Sequence, residues 1–335
     1  MLKNKEERIM NTESHSKNSF SQCAHVFFIL FSFFFSEAQA SWISAPQADS
    51  LSRVYFRKLY LFEGRPQRAQ ITITTTGYCK LYINECKVGT APFLPLRYTE
   101  DNKAAEFTFD AAPYLQSDSN VVTVLYSPAR TSTTTQTTTQ TTTQTTTQTT
   151  TQATTQTKQI AITLWGTDHE GKPFAYETDA SWLCREANSK FTADGLEIID
   201  GREHDNPWKA ATINDLALWN QVSEDSSAGT VEYYAAPVAP RVSHIDSRDA
   251  NDILSNDIPA SHPFYGFFRA TLREARQGEK IRLGNVLYIC NGTFDEQVFP
   301  EFGASFTNGI SVEGRRQRIT NLEAVSIAPN KSLHY

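Results

Sequence analysis

One short stretch, Asp200-Gly-Arg-Glu-His-Asp205, gathers the side chains that acid–base or metal chemistry needs: three carboxylates, a histidine and a guanidinium. Hydrolysis of a glycosidic bond requires two carboxylates flanking that bond, about 5–5.5 Å apart for retention or about 6.5–9.5 Å for inversion. Neighbours in sequence do not place themselves on opposite sides of a sugar ring. A solvated, arginine-paired loop is therefore the simpler reading, and no catalytic residue is assigned. Hard oxygen ligands suit calcium, so Asp200, Glu203 and Asp205 are the candidate calcium ligands, and calcium is the one cofactor considered.

Binding without chemistry needs aromatic faces for the apolar side of a polyhydroxylated ligand and planar polar groups for its hydroxyls. Trp208 and Trp219, in polar surroundings, offer faces, while Asn84, Asp200, Arg202 and Glu203 offer hydrogen bonds. Tyr78 and Trp182 are further aromatic candidates, each better read as packing. Metal chemistry with softer ligands is not indicated. The sequence has no Cys-x-x-Cys, and none of the 7 histidines forms a His-x-x-x-His pair. The formal net charge of −6 argues against a nucleic-acid partner, because phosphate binding requires an excess of clustered Lys and Arg.

The elements that would position these residues are strands. Ala69-Gln-Ile-Thr-Ile-Thr-Thr-Thr76 alternates with period two and is rich in β-branched residues. Lys80-Leu-Tyr-Ile83 and Cys86-Lys-Val88 flank Asn84-Glu85, a two-residue hairpin turn, although Glu85 stands where Gly would be usual. Val121-Val-Thr-Val-Leu-Tyr126, Ile160-Ala-Ile-Thr-Leu-Trp165 and Phe174-Ala-Tyr-Glu177 continue the series without an amphipathic helix. An all-β fold of antiparallel sandwiches of jelly-roll type follows from that pattern.

Residues 133–156 interrupt it with Thr-Thr-Thr-Gln tetrads, closing on Ala-Thr-Thr-Gln. The tract has no apolar face to bury, so residues 131–158 are expected to form a disordered loop inside the first sandwich. Expansion of a short repeat in a surface loop explains it more simply than a stalk or an adhesive does. The prolines of Ala235-Ala-Pro-Val-Ala-Pro240 read as a linker. The expected domains are a first sandwich over 41–235 and a second, smaller one over 236–335.

At the N-terminus, Lys3, Lys5 and Arg8 precede an apolar run over residues 24–35, followed by Ala38-Gln-Ala40. This is the pattern of a secretory signal over residues 1–40, cut after Ala40. A bilayer span needs about 20 apolar residues, so an anchor is not expected and the protein is read as exported, to the periplasm or beyond the cell. Export permits disulfides. Cys79 and Cys86, however, are offset along one hairpin by about 3.3 Å per residue, whereas a disulfide needs Cα atoms within about 7 Å. Buried thiols are expected instead. Asn291-Gly292 is read as a hairpin turn rather than as part of a glycosylation site.

The order of several motifs resembles the first β-sandwich of bacterial α-L-rhamnosidases. Phe56-Arg57-Lys58, Ala69, Tyr78-Cys-Lys-Leu-Tyr-Ile-Asn84 and Val88-Gly89 match one passage of that module. Phe109-Asp110, Tyr114-Leu115 and Ser119-Asn-Val-Val122 match another. Asp179-Ala-Ser-Trp182 is similar to its Asp-x-Ser-Trp, and Asp200 to Glu203, Pro207-Trp-Lys209, Asp215 and Trp219 to the segment after it. Tyr288-Ile-Cys-Asn-Gly-Thr-Phe-Asp-Glu296 is similar, more distantly, to a later sandwich. Glu85 replaces the family's Gly.

The resemblance implies glycoside hydrolase activity for the whole enzyme, carried by a following (α/α) barrel. These 335 residues show neither its helical periodicity nor its length. The expectation is a non-catalytic, exported partner of rhamnose-containing polysaccharide. A truncated or decayed rhamnosidase whose sandwiches are purely structural is the alternative.

Overall fold

The computed structural model describes residues 41–46, 48, 51–95, 104–128, 159–203, 208–212, 216–225, 231–233, 241–249 and 257–328. The leader, the tetrad tract and the linker lie outside the described residues, as do His204, Asp205 and Asp215.

Period-two alternation builds the first sheet. In the strand Arg68–Thr75, Ala69, Ile71 and Ile73 point inward and are buried. The strand pairs antiparallel with Gln159–Thr167 on one side and Ala104–Asp110 on the other, setting Ile73 opposite Ile162 and Phe107. Trp42–Ser44, Ser223–Asp225, Pro173–Glu177 and Val231–Tyr233 complete a seven-stranded sheet.

The second sheet follows one hydrogen-bonded path through both halves of the sequence. The strands Leu183–Phe191, Ser52–Leu61, Ser119–Ser127, Tyr78–Ile83 and Cys86–Lys87 stand side by side at one end. They face the seven-stranded sheet across a core containing Phe56, Leu81, Val124, Tyr126 and Trp182. The path continues through Glu197–Asp200, which pairs in parallel with Val286–Ile289. It then runs through Lys280–Leu283, Ser305–Glu313, Asp257–Arg273, Ile319–Ala328 and Arg241–Asp249. The strands of this second half enclose their own apolar core, with Leu272, Ile281, Val298 and Leu322, and Ile199 packs into it from the first half. The fold is therefore a β-sandwich architecture with two cores. Its pairs are antiparallel except for Glu197–Asp200 with Val286–Ile289 and Val231–Tyr233 with Ala104–Asp110. Among the described residues no helix is long and apolar enough to cross a membrane.

The sequence motifs find physical roles in this frame. Asn84 and Glu85 both take positive φ, 49° and 67°, and Ile83 pairs with Cys86, as a tight two-residue hairpin demands. The Asn84 side chain donates to the Tyr114 carbonyl and Asn120 Oδ1, and accepts from the Val121 N–H, locking hairpin to sandwich. Lys58 Nζ bonds Ser181 Oγ and lies 3.8 Å from Asp179 Oδ1, so two motifs of the resemblance meet. Thr76 Oγ1 bonds both the Tyr126 hydroxyl, at 3.0 Å, and the backbone of Gln159, at 3.1 Å. The strands before and after the tetrad tract thus converge on one side chain, a geometry in which a long insertion costs little, since closure entropy grows only logarithmically with length.

Two expectations change. Cys79, Cys184 and Cys290 are buried free thiols, but Cys86, beside the hairpin turn, is exposed. Asn291-Gly292 does not turn a hairpin: the next strand, Asp295–Val298, pairs with Asp257–Arg273 instead. The buried Glu296 carboxylate, accepting from the Asn291 and Gly292 N–H groups at 2.8 and 3.0 Å, holds that crossover.

Candidate functional site

The acidic stretch singled out by sequence is a self-neutralised turn. Asp200 ends a strand and Gly201–Glu203 forms one turn of 3-10 helix. Gly201 is required there, because a Cβ would stand 2.2 Å from the Tyr288 hydroxyl. Arg202 donates from Nε to Asp200 Oδ1 at 2.9 Å and from Nη2 to Oδ2 at 2.6 Å. Those bonds hold the Asp200 carboxyl below its usual range. Glu203 faces Arg185 at 3.3 Å. A calcium ion at Asp200 and Glu203 would have to displace both guanidinium groups, and Asp205 lies outside the described residues. Among the described residues no three His, Cys, Asp or Glu side chains cluster as a metal site.

The aromatic candidates divide. Trp182 is wholly buried in the first core. Trp219 is buried in a smaller cluster with Tyr55, Phe93, Leu125 and Phe302 on the outer face of the second sheet. Tyr78 is half-buried and packs edge-on against Phe93. Trp208 is half-buried, stacked on Tyr55 with centroids 4.2 Å apart and edge-on to Tyr82 at 5.3 Å. Its loop is held by the buried Arg57, whose Nη1 donates to the Ala210 carbonyl at 2.5 Å and Nη2 to the Ala211 carbonyl at 2.7 Å.

Beside Tyr82 opens a cleft of about 250 Å³ that the sequence did not announce. Period two places Tyr78, Lys80 and Tyr82 on one face of their strand, and the hairpin register sets Lys87 directly opposite Tyr82. Lys80, Tyr82, Lys87 and Phe93 line one wall, and Phe267, Phe299 and Glu301 line the other. Lys80 Nζ forms an ion pair with Glu301, 221 residues away, and sits 5.2 Å from the centre of the Phe302 ring. Lys209 Nζ lies 4.4 Å from the centre of the Tyr82 ring and 5.1 Å from that of Trp208, in cation–π geometry.

The cleft's charges are unusual in their balance. Burial, then the neighbouring Lys80 ammonium, pushes the Lys87 amine down to about 8. Burial lowers Lys209 also. At Glu301 burial acts upward, but Lys80 overcomes it and, with Arg53 and Lys209, holds the carboxyl below its usual range.

The Glu301 segment is anchored from beneath. Arg53 Nη1 meets Glu197 Oε1 at 2.7 Å, with side chains 0% and 3% exposed, and the Glu301 N–H donates to the same Glu197 oxygen at 2.8 Å. The Arg53 guanidinium also lies over the Phe191 and Phe302 rings, at 4.6 and 5.1 Å. Sequence reasoning missed Arg53, Arg57, Lys80, Lys87, Glu197 and Glu301. The strand alternation would have put Lys80 and Tyr82 on one face; nothing local pointed to Glu301.

A family model described as the alpha-L-rhamnosidase N-terminal domain matches residues 64–242. A search of curated proteins found no match. Among solved structures, an α-L-rhamnosidase from Dictyoglumus thermophilum superposes with a TM-score of 0.66 at 15% identity, over 86% of this chain and 35% of its own. The enzyme from Aspergillus terreus gives 0.69 at 16% identity, over 88% and 36%. That from Streptomyces avermitilis, complexed with L-rhamnose, gives 0.67 at 14% identity, over 87% and 29%. The chain thus spans about a third of the length of the structures it matches, and at these identities the likeness concerns the fold.

Proposed function

Because the chain belongs to the family of α-L-rhamnosidase N-terminal domains, we propose that it is an exported, non-catalytic carbohydrate-binding protein whose ligand is a rhamnose-containing polysaccharide. The observation that carries this reading is the cleft beside Tyr82, where aromatic rings and charged donors line one concavity. Rings cover the apolar face of a sugar and ammonium groups donate to its hydroxyls. Hydrolysis would need a pair of carboxylates, whereas Glu301 is the one carboxylate among the lining residues and is engaged by Lys80.

Calorimetric titration of the folded protein with rhamnose and rhamnose-containing oligosaccharides tests the reading. Saturable binding, lost in Tyr82→Ala at unchanged fold, is the expected result. Absence of heat with every glycan, from a cooperatively folded sample, would sink it. That outcome would favour the second reading, sandwiches with a purely structural role, in keeping with the likeness in fold to parts of α-L-rhamnosidases. Export is tested by sequencing the N-terminus of protein recovered outside the cytoplasm: Ser41 is expected, and retention of an uncut chain in the cytoplasm counts against it.

A further inference from the structure

We propose that the cleft beside Tyr82 selects an acidic sugar, a uronic acid residue whose carboxylate is held by Lys87 while its ring packs on the aromatic walls. The inference rests on the carbohydrate-binding reading and sharpens it from a class of ligand to a charge.

The first argument is the count of charges. Two ammonium groups line the cleft, those of Lys80 and Lys87, and a third, that of Lys209, borders it over the Tyr82 ring. Against them stands Glu301, whose carboxylate is taken by Lys80. Glu85, at the hairpin tip, is the other acidic group acting on Lys209. Among the described residues, the hydrogen-bond acceptor of Lys87 Nζ is the Ala91 carbonyl, a neutral oxygen on its own hairpin.

The second argument is the cost of that arrangement. A half-buried ammonium beside another cation is held at the expense of its proton, which is why Lys87 is pushed down to about 8 by burial and by Lys80. A neutral sugar's hydroxyls would accept hydrogen bonds from these groups but bring no opposite charge to offset their further burial. A carboxylate reverses the balance, because it accepts charge-assisted hydrogen bonds from desolvated donors, the stronger kind. The third argument is shape. Phe93, Phe267 and Phe299 line the same space, so an anion without an apolar face would leave them uncovered. A sugar acid supplies both an apolar ring face and a carboxylate, and the volume of about 250 Å³ suits one sugar unit at the bottom of the cleft.

The test compares an oligosaccharide of alternating rhamnose and galacturonic acid with the same oligosaccharide after its carboxyls are reduced to primary alcohols. Calorimetric titration uses the full exported chain. Reduction is expected to weaken binding about tenfold or more, the effect of losing one charge-assisted hydrogen bond. Lys87→Gln, which keeps a donor for Ala91, should weaken the acidic ligand about tenfold and the reduced one by a clearly smaller factor.

Affinity for the acidic ligand should fall as pH rises above about 8, where free Lys87 loses its proton. The charged group acting on that amine is Lys80, and Glu301 is the other charged side chain lining the same cleft; Lys87→Arg, whose charge does not titrate there, should flatten the fall. Equal affinity for the acidic and reduced oligosaccharides would overturn the preference while leaving carbohydrate binding intact. No binding of either by the folded protein would overturn both. A melting curve on each variant separates lost affinity from lost fold.

Discussion

The turn at Asp200–Glu203 and the cleft beside Tyr82 are both concentrations of charge, and they differ in where their neutralising partners come from. In the turn, Asp200 is met by Arg202 two residues on, and Glu203 by Arg185 from the adjoining segment. One partner of each pair is open to solvent, Arg202 at 48% and Glu203 at 57%, while Asp200 and Arg185 are 25% and 13% exposed. In the cleft, Lys80 reaches Glu301 across 221 residues, Lys87 Nζ donates to the neutral Ala91 carbonyl with Lys80 nearby, and Lys209 lies over the Tyr82 ring with Glu301 and Glu85 acting on it. Charges close in sequence can neutralise one another wherever the chain is flexible enough to turn. Charges brought together by packing are held by the scaffold, and an imbalance among them persists until a ligand corrects it. Density of charge in the sequence therefore does not foretell charge imbalance within a concavity, which packing sets.

The largest expected effect comes from breaking what holds the cleft's second wall. Arg53→Met strips Glu197 of its buried cation, and loss of one partner from a buried pair costs about 3–5 kcal/mol. Urea unfolding should read that loss, and pairing the change with Glu197→Leu should restore most of it. A single variant as stable as the parent would mean the Glu301 segment is placed by its apolar contacts alone.

A smaller effect, of opposite sign, lies in the hairpin that carries Tyr82 and Lys87. Glu85 holds φ at 67°, where a side chain costs about 1–2 kcal/mol relative to Gly. Glu85→Gly should therefore raise stability by about 1 kcal/mol, seen as a higher melting temperature. No gain would show that the Glu85 side chain offsets its own strain, through Lys209 for example.

The smallest effect belongs to the turn. Asp200→Asn removes a surface pair worth about 1 kcal/mol or less, leaves glycan affinity unchanged, and leaves the protein as indifferent to added calcium as the parent. Because the Asp200 carboxyl is depressed, its contribution is complete above the ordinary carboxylate range and disappears as pH falls through its lower folded value. The variant should thus lose slightly less stability on acidification. A calcium-dependent rise in melting temperature, abolished by Asp200→Asn, would establish the turn as a metal site and collapse the contrast with the cleft.

The alternation in residues 69–75, the Asn84-Glu85 hairpin and the absence of helical periodicity made the β-sandwich legible from sequence. Each follows from rules that act over a few residues. The candidate binding residues were less legible. Trp208 was singled out and lies against Tyr82 at the cleft's edge, but Trp219, equally polar in its surroundings, is buried beneath Phe302 and Tyr55. Flanking polarity could not separate them, because the apolar partners of Trp219 come from other strands.

The amino-acid sequence by itself determined strand identity, which face each side chain takes, the tight turn at a costly φ, and the family resemblance carried by Phe56-Arg-Lys58 and Asp179-Ala-Ser-Trp182. Only the tertiary structure decided which charges would stay unbalanced. Strand Glu197–Asp200 runs parallel to Val286–Ile289, and that pairing, with the Arg53–Glu197 bridge, brings Phe299 and Glu301 over the lysines of the hairpin. Period and propensity act along the chain, whereas desolvation and charge pairing depend on what arrives from far away, and at Lys80, Lys87 and Glu301 those long-range terms set the chemistry.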